Sequence, residues 1–336
     1  MQAFINGMPK AELHVHLEGT LEPDMLLALA QRNRIKLPYT SPEAVVAAYD
    51  FHDLPSFLSI YYRAMDVLRV EQDFYDLTCA YLAKAHSQNV LYAELFFDPQ
   101  AHTTRGVAFV TVIHGIHRAQ WAAAETLGIQ SQLIMCFLRD MSVESAQLTL
   151  EQSIPFRDWI IGVGLDSDEK NNPPLKFAGV FAQARVLGYR LTMHCDVNQD
   201  DSVQHIRDCV HTVQVDRIDH GVNSLEDAEL CEAIRERGLG LTVCPISNRF
   251  VVQSLTSSEI RSMLARGMKV TVNSDDPAYF RGYLSEDFVA LQQEGDFTRD
   301  ELLRLARNAF EVSWLSAAQR AGYLKQLDAY AGLAVA

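Results

Sequence analysis

Eight short apolar stretches alternate with segments of helical periodicity, and this alternation constrains the fold more than any other feature of the chain. The stretches read as strands at 13–19, 90–97, 130–138, 159–165, 189–195, 217–220, 239–244 and 268–273. Several are apolar nearly throughout, the pattern of strands buried on both faces of a parallel sheet. Helical patterns at 107–126, 143–152, 175–187, 201–213, 225–237 and 256–266 separate the later strands. Eight such units in 336 residues predict an α/β fold of the closed (β/α)8 TIM-barrel type, one domain over 1–336. An open doubly wound sheet is the alternative, but no Gly-rich dinucleotide fingerprint follows the first strand. A helix at 21–34 and a helical insert at about 42–88 follow that strand, and helices at 285–294, 298–308 and 313–328 end the chain. In the insert, Leu58, Tyr61, Tyr62, Met65 and Leu68 form an aromatic-rich face that either packs as core or covers a pocket.

A net charge of −14 argues against nucleic acid or an anionic membrane surface as the main partner. No run of 18 apolar residues predicts a membrane span. None of the six cysteines forms a CxxC pair, and Met1 to Lys10 carries no sustained apolar run. Reduced thiols in a cytoplasmic protein are therefore expected, with Cys136 and Cys244 as small core residues.

In the stretch Leu13-His14-Val15-His16-Leu17-Glu18-Gly19, strand alternation points His14 and His16 to the same face. Such a pair either grips one metal ion or makes ordinary buried hydrogen bonds. Other strands also end in ionisable groups: Met193-His194-Cys195-Asp196, Asp219-His220-Gly221 and Asn273-Ser274-Asp275-Asp276-Pro277. Barrel chemistry sits at the C-terminal strand ends, and burying so many ionisable groups is costly unless they pair or bind metal. His14, His16, His194 and Asp275 are thus expected to hold one metal with a position open for water. Zinc suits this donor set, and iron, manganese or cobalt could also fit. Coordination would make that water a nucleophile near neutral pH, and His220, on the strand beside His194, could take its proton. The remaining histidines, at 52, 86, 102, 114, 117, 205 and 211, are expected at the surface.

Together these residues resemble the adenosine/adenine deaminase family of the amidohydrolase superfamily. The matching runs are Lys10-Ala-Glu-Leu-His14-Val-His16-Leu-Glu18-Gly19, Gly164-Leu-Asp166, His194, Ile218-Asp-His220-Gly221, Cys244-Pro-Ile-Ser-Asn248 and Asn273-Ser-Asp275-Asp276-Pro277. The resemblance implies a metal-dependent hydrolase acting on a C–N bond, with one zinc per subunit on His14, His16, His194 and Asp275. It implies that His220 orients and deprotonates water, that Asp276 meets N7 of a purine, and that the Gly164 backbone meets N3. The expected reaction converts a 6-aminopurine to a 6-oxopurine and releases the amine. Binuclear relatives carry a lysine at the end of strand four; here the nearest is Lys170, so one metal is expected.

Two details bear on the substrate. Nucleoside deaminases of the family typically have Asp where this chain has Glu18, so the resemblance is to the free-base adenine branch. The family also follows its strand-five histidine with Ala-Gly-Glu, whose Glu protonates N1, whereas this chain reads His194-Cys195-Asp196-Val197-Asn198. Asp196 shares a strand face with His194 and is the replacement candidate, or else it caps the following helix. The altered loop suggests an adenine-like base other than plain adenine, an N6-substituted, cytokinin-type adenine first, with plain adenine close behind and adenosine as the alternative. A hydrolase of amides or phosphoesters on the same barrel, and a purine-binding homologue with little turnover, are the other readings.

Overall fold

A computed structural model of the chain describes residues 1–332, so positions 333–336 of the expected domain lie outside the described residues. Eight parallel strands hydrogen-bond in sequence order: β1 (Lys10–His16), β2 (Val90–Phe97), β3 (Gln130–Leu138), β4 (Ile160–Asp166), β5 (Arg190–Cys195), β6 (Arg217–His220), β7 (Gly240–Val243) and β8 (Lys269–Val272). The ends of the sheet meet where Val15 pairs with Asp275. There the His16 amide donates to the Asp275 carbonyl at 2.9 Å and the Asp275 amide to the His14 carbonyl at 3.1 Å. The Asn273 side chain adds a third rung by accepting from the Leu13 amide at 2.9 Å. The fold is therefore a (β/α)8 barrel and not an open sheet.

Strand β1 begins at Lys10 and ends at His16, three residues earlier at each end than the alternation of Leu13, Val15 and Leu17 suggests. Charged Lys10 and Glu12 are fully buried, which hydropathy alone does not reveal, because each has partners. Lys10 Nζ donates to the carbonyls of Ile5 and Met8 at 2.7 and 2.8 Å. Glu12 accepts from the Tyr81 hydroxyl at 2.6 Å and from the Ser274 amide at 3.1 Å. The barrel floor holds Arg217, which pairs with Glu94, donates to the Leu13 carbonyl at 3.1 Å and lies 4.3 Å from the Trp314 ring centroid.

The helical layer departs from periodicity at identifiable places. The segment read as 54–68 is a helix over Leu54–Ala64 followed by a 3-10 turn over Met65–Val67. The segment read as 201–213 is Ser202–Arg207 followed by a π-helical turn over Asp208–Val213. The last helix starts at Ala317, because the Ser316 side chain caps it. Helices Pro99–Thr103 and Pro245–Val252 have no counterpart in the sequence reading; each starts on a proline, favourable at a first helical position but easily read as a loop signal.

Helix Glu71–Ser87 of the insert packs closely on Phe109–Leu127. At Gly115 an added Cβ would lie 2.4 Å from the Glu71 carbonyl oxygen and 2.7 Å from Phe74 Cβ, so only glycine permits this approach. Among the described residues no helix is long and apolar enough to cross a membrane.

Candidate active site

The C-terminal ends of β1, β5, β6 and β8 place His14, His16, His194, His220 and Asp275 in one buried cluster. His194 Nε2 lies 3.1 Å from Nε2 of both His14 and His16. Asp275 Oδ1 lies 3.2 Å from His14 Nε2 and 3.4 Å from His16 Nε2. Each of these four separations is shorter than twice a zinc bond of about 2.0–2.2 Å, so one ion could touch the donors on both sides of each, and imidazole with carboxylate is a donor set that suits zinc.

The protonation states agree with this fit. Burial holds His14 below the ordinary imidazole range, and burial with the neighbouring histidines holds His194 well below it, so both rings keep a free lone pair. Burial would push Asp275 up, but His14, His220 and His16 around it keep it well below the usual carboxylate range. His220 and Asp275 both adopt left-handed backbone, with φ of 59° and 64°. Such conformations cost roughly 1–2 kcal/mol each in a residue with a Cβ.

A second layer fixes the ligand rings. Asp219 accepts from the hydroxyls of Thr192 and Thr242 at 2.6 and 3.0 Å. The Thr242 oxygen in turn lies 2.9 Å from His14 Nδ1. Asp219 also faces His194 Nδ1 at 3.6 Å. Sequence reasoning saw Asp219 only as the neighbour of His220; its alternation onto the Thr192 and Thr242 side of the strands was the available signal.

A cavity opens above the ligands. Leu54, Phe57, Leu58, Val251 and Phe280 give it an apolar wall, and Asp98, Asp166, Ser167, Asp196, Ser247 and Asp276 line it with polar groups. Asp196 meets His220, with His220 Nε2 at 2.9 Å from its Oδ1. It therefore does not cap the next helix, which begins at Ser202. Burial alone would lower the His220 pKa, but Asp196, Asp275 and Asp219 raise it to about 9. Burial and Asp275 together push Asp276 well up, favouring its protonated form. Asp276 packs against Gly19, where any Cβ would lie 2.1 Å from its Oδ1.

Gly164 lies within β4, two residues before the cavity-lining Asp166, and a Cβ there would meet Cys136 Sγ at 2.6 Å. Ser167, three residues on, also lines the cavity, with an unpartnered hydroxyl and a left-handed φ of 73°. Glu18 is buried, and its Oε1 accepts from His102 Nε2 at 2.7 Å and from the Asp98 amide at 3.2 Å. One expectation needs correction: His102 and His205 are buried and not at the surface, because each meets a buried carboxylate, Glu18 for His102 and Glu169 for His205, the latter at 3.0 Å. Strand β4 ends in Asp166, and Lys170 is exposed, so no lysine reaches the site from that strand.

The comparisons agree with this geometry. The family model of adenosine deaminase matches residues 9–330. An uncharacterized deaminase of Schizosaccharomyces pombe is 52% identical over 332 residues, covering 98% of both chains. An adenine deaminase of Sphingopyxis alaskensis is 49% identical, covering 98% of this chain and 96% of its own. The crystal structure of an adenine deaminase from Arthrobacter aurescens superposes with a TM-score of 0.94 at 41% identity, over 97% of this chain and all of that one. An amidohydrolase from Burkholderia ambifaria with bound zinc superposes at 0.88 with 27% identity, over 98% and 93% of the two chains. The chain belongs to the adenosine deaminase family, whose members are amidohydrolases acting on a C–N bond of purines.

Proposed function

We propose that this chain is a zinc-dependent deaminase of a 6-aminopurine free base, with adenine as the substrate. The observation that carries the reading is the close, buried set of His14, His16, His194 and Asp275, with His220 in the same cavity. Relatives named adenine deaminase at nearly 50% identity support the base as substrate. A bound zinc supplies the Lewis acidity that makes water a nucleophile near neutral pH.

The chain's own residues do the rest. A bound cation would offset the Asp275 charge that helps hold His220 protonated, and neutral His220 takes at Nε2 the proton of the attacking water as it adds at C6. Asp196, 2.9 Å from that same nitrogen, receives this proton from His220 and passes it to N1. Protonated Asp276 donates to N7, and the Gly164 backbone meets N3, with the Ser167 hydroxyl in the same cavity. Glu18, anchored by His102, stiffens the wall beside Asp98.

A second reading, an N6-substituted adenine, is favoured by the apolar wall of Leu54, Phe57, Leu58 and Val251, which suits an alkyl group on the departing amine. The test is loss of purine absorbance by the zinc-loaded protein with adenine, N6-isopentenyladenine and adenosine side by side. Adenine as best substrate supports the main reading and isopentenyladenine the second. Adenosine as best substrate, or no turnover of any, refutes both.

A further inference from the structure

The loop carrying Asp196 is gripped from behind by two buried side chains that no step of the chemistry uses. Glu169, in the segment after β4, accepts from the Asp196 amide at 2.5 Å through Oε1. Its Oε2 is held by His205 Nδ1 at 3.0 Å. Arg139, directly after β3, donates through Nη1 to the His194 carbonyl at 2.9 Å and through Nε to the Asn172 carbonyl at 2.9 Å. Arg139 and Glu169 face each other at 3.4 Å, and both are essentially solvent-free. The ends of three consecutive strands thus converge on two peptide groups, the His194 carbonyl and the Asp196 amide.

We propose that Glu169 is a positioning residue, which with Arg139 clamps the His194–Asp196 backbone and so fixes the Asp196 carboxyl over the substrate. The proposal rests on the deaminase reading above. Its physical basis is that Asp196 is one position nearer the strand end than the family's Glu and one methylene shorter. Such a side chain reaches the substrate only if its own backbone is held in place, and residues 196–200 have no regular structure of their own to hold it. A charged acceptor on the amide supplies that hold, since hydrogen bonds to an ionised group are the stronger kind.

The test combines hydrogen exchange with kinetics on the zinc-loaded protein. In Glu169→Ala, backbone amides over residues 193–198 should exchange at least about tenfold faster, while β1 and β3 keep their protection. The kcat for adenine should fall about 100-fold, the scale of a 1 Å misplacement, with KM within about threefold and zinc content unchanged. Glu169→Gln, whose carbonyl can still accept from the Asp196 amide, should recover most of that loss. In an Asp196→Asn background, Glu169→Ala should cost less than about threefold more, because both changes disable one unit. Unchanged exchange at 193–198, or losses that multiply fully with Asp196→Asn, overturns the proposal. If Glu169→Ala does not fold, His205→Ala removes the second hydrogen bond on the carboxylate and carries the same readouts. If the wild type turns over no 6-aminopurine, the function falls and the exchange result alone decides the clamp.

Discussion

Replacing Asp219 by Asn tests whether the layer behind the ligands sets metal affinity. The carboxylate is fully buried, accepts from the Thr192 and Thr242 hydroxyls, and faces His14 Nδ1 and His194 Nδ1 at 4.0 and 3.6 Å. Asn keeps the volume but removes the charge that makes both imidazoles better donors. Loss of such an outer partner typically weakens metal binding 10–100-fold, or about 1.4–2.7 kcal/mol. At zinc one hundred times the wild-type Kd, binding stabilises the fold by about 2.7 kcal/mol; a 100-fold weaker site retains about 0.4. The difference is about 2.3 kcal/mol. With an unfolding entropy of about 2.1 cal/mol/K per residue over 336 residues, that is about 3 °C in Tm. The assay is zinc competition against a chromophoric chelator, paired with melts with and without zinc. Reading the zinc-dependent gap in Tm, and not Tm itself, removes any general destabilisation by the substitution. An unchanged Kd with an intact gap would refute the argument.

Other substitutions probe separate parts of the reasoning. His220→Asn should abolish turnover by at least about 100-fold while zinc content, measured by atomic absorption, stays at one per chain. Gly115→Ala should lower stability by about 1–3 kcal/mol in a urea melt, because its methyl group would meet the Glu71 carbonyl, with kcat little changed. Arg217→Met should cost about 3–5 kcal/mol by leaving Glu94 buried and unpaired, and Arg217→Met with Glu94→Gln should recover part of it in the same melts. Leu58→Trp should raise KM for N6-isopentenyladenine several-fold more than for adenine; equal effects would remove the apolar wall from the argument.

Much of this architecture is legible in the sequence, for reasons that differ by element. Strand β2 starts and ends with its mostly apolar run, since a parallel strand buried on both faces leaves little room for polar residues, and β3 and β6 keep their expected bounds although Gln130, Gln132, Arg217, Asp219 and His220 are polar. The clustering of His14, His16, His194, Asp275 and His220 is legible because a barrel gathers strand ends, so position along a strand becomes position in space. Burial supported by a distant partner is not legible. Lys10 and Glu12 look like surface residues until Ile5, Met8 and Ser274 are beside them, and His102 and His205 do so until Glu18 and Glu169 are. Ser167 was missed for a local reason: it follows the end of β4 in a loop whose left-handed backbone no periodicity announces.

Asp275 brings a carboxylate to the buried histidines, and its backbone also closes the barrel against β1. Completing the donor set and closing the barrel are thereby one event. During synthesis the histidines at 14, 16 and 194 emerge well before residue 275, so the set stays incomplete until the final strand docks. On the proposed zinc chemistry, a chain ending short of that strand would hold the ion only weakly, and tight zinc uptake would report that the last strand has joined the first.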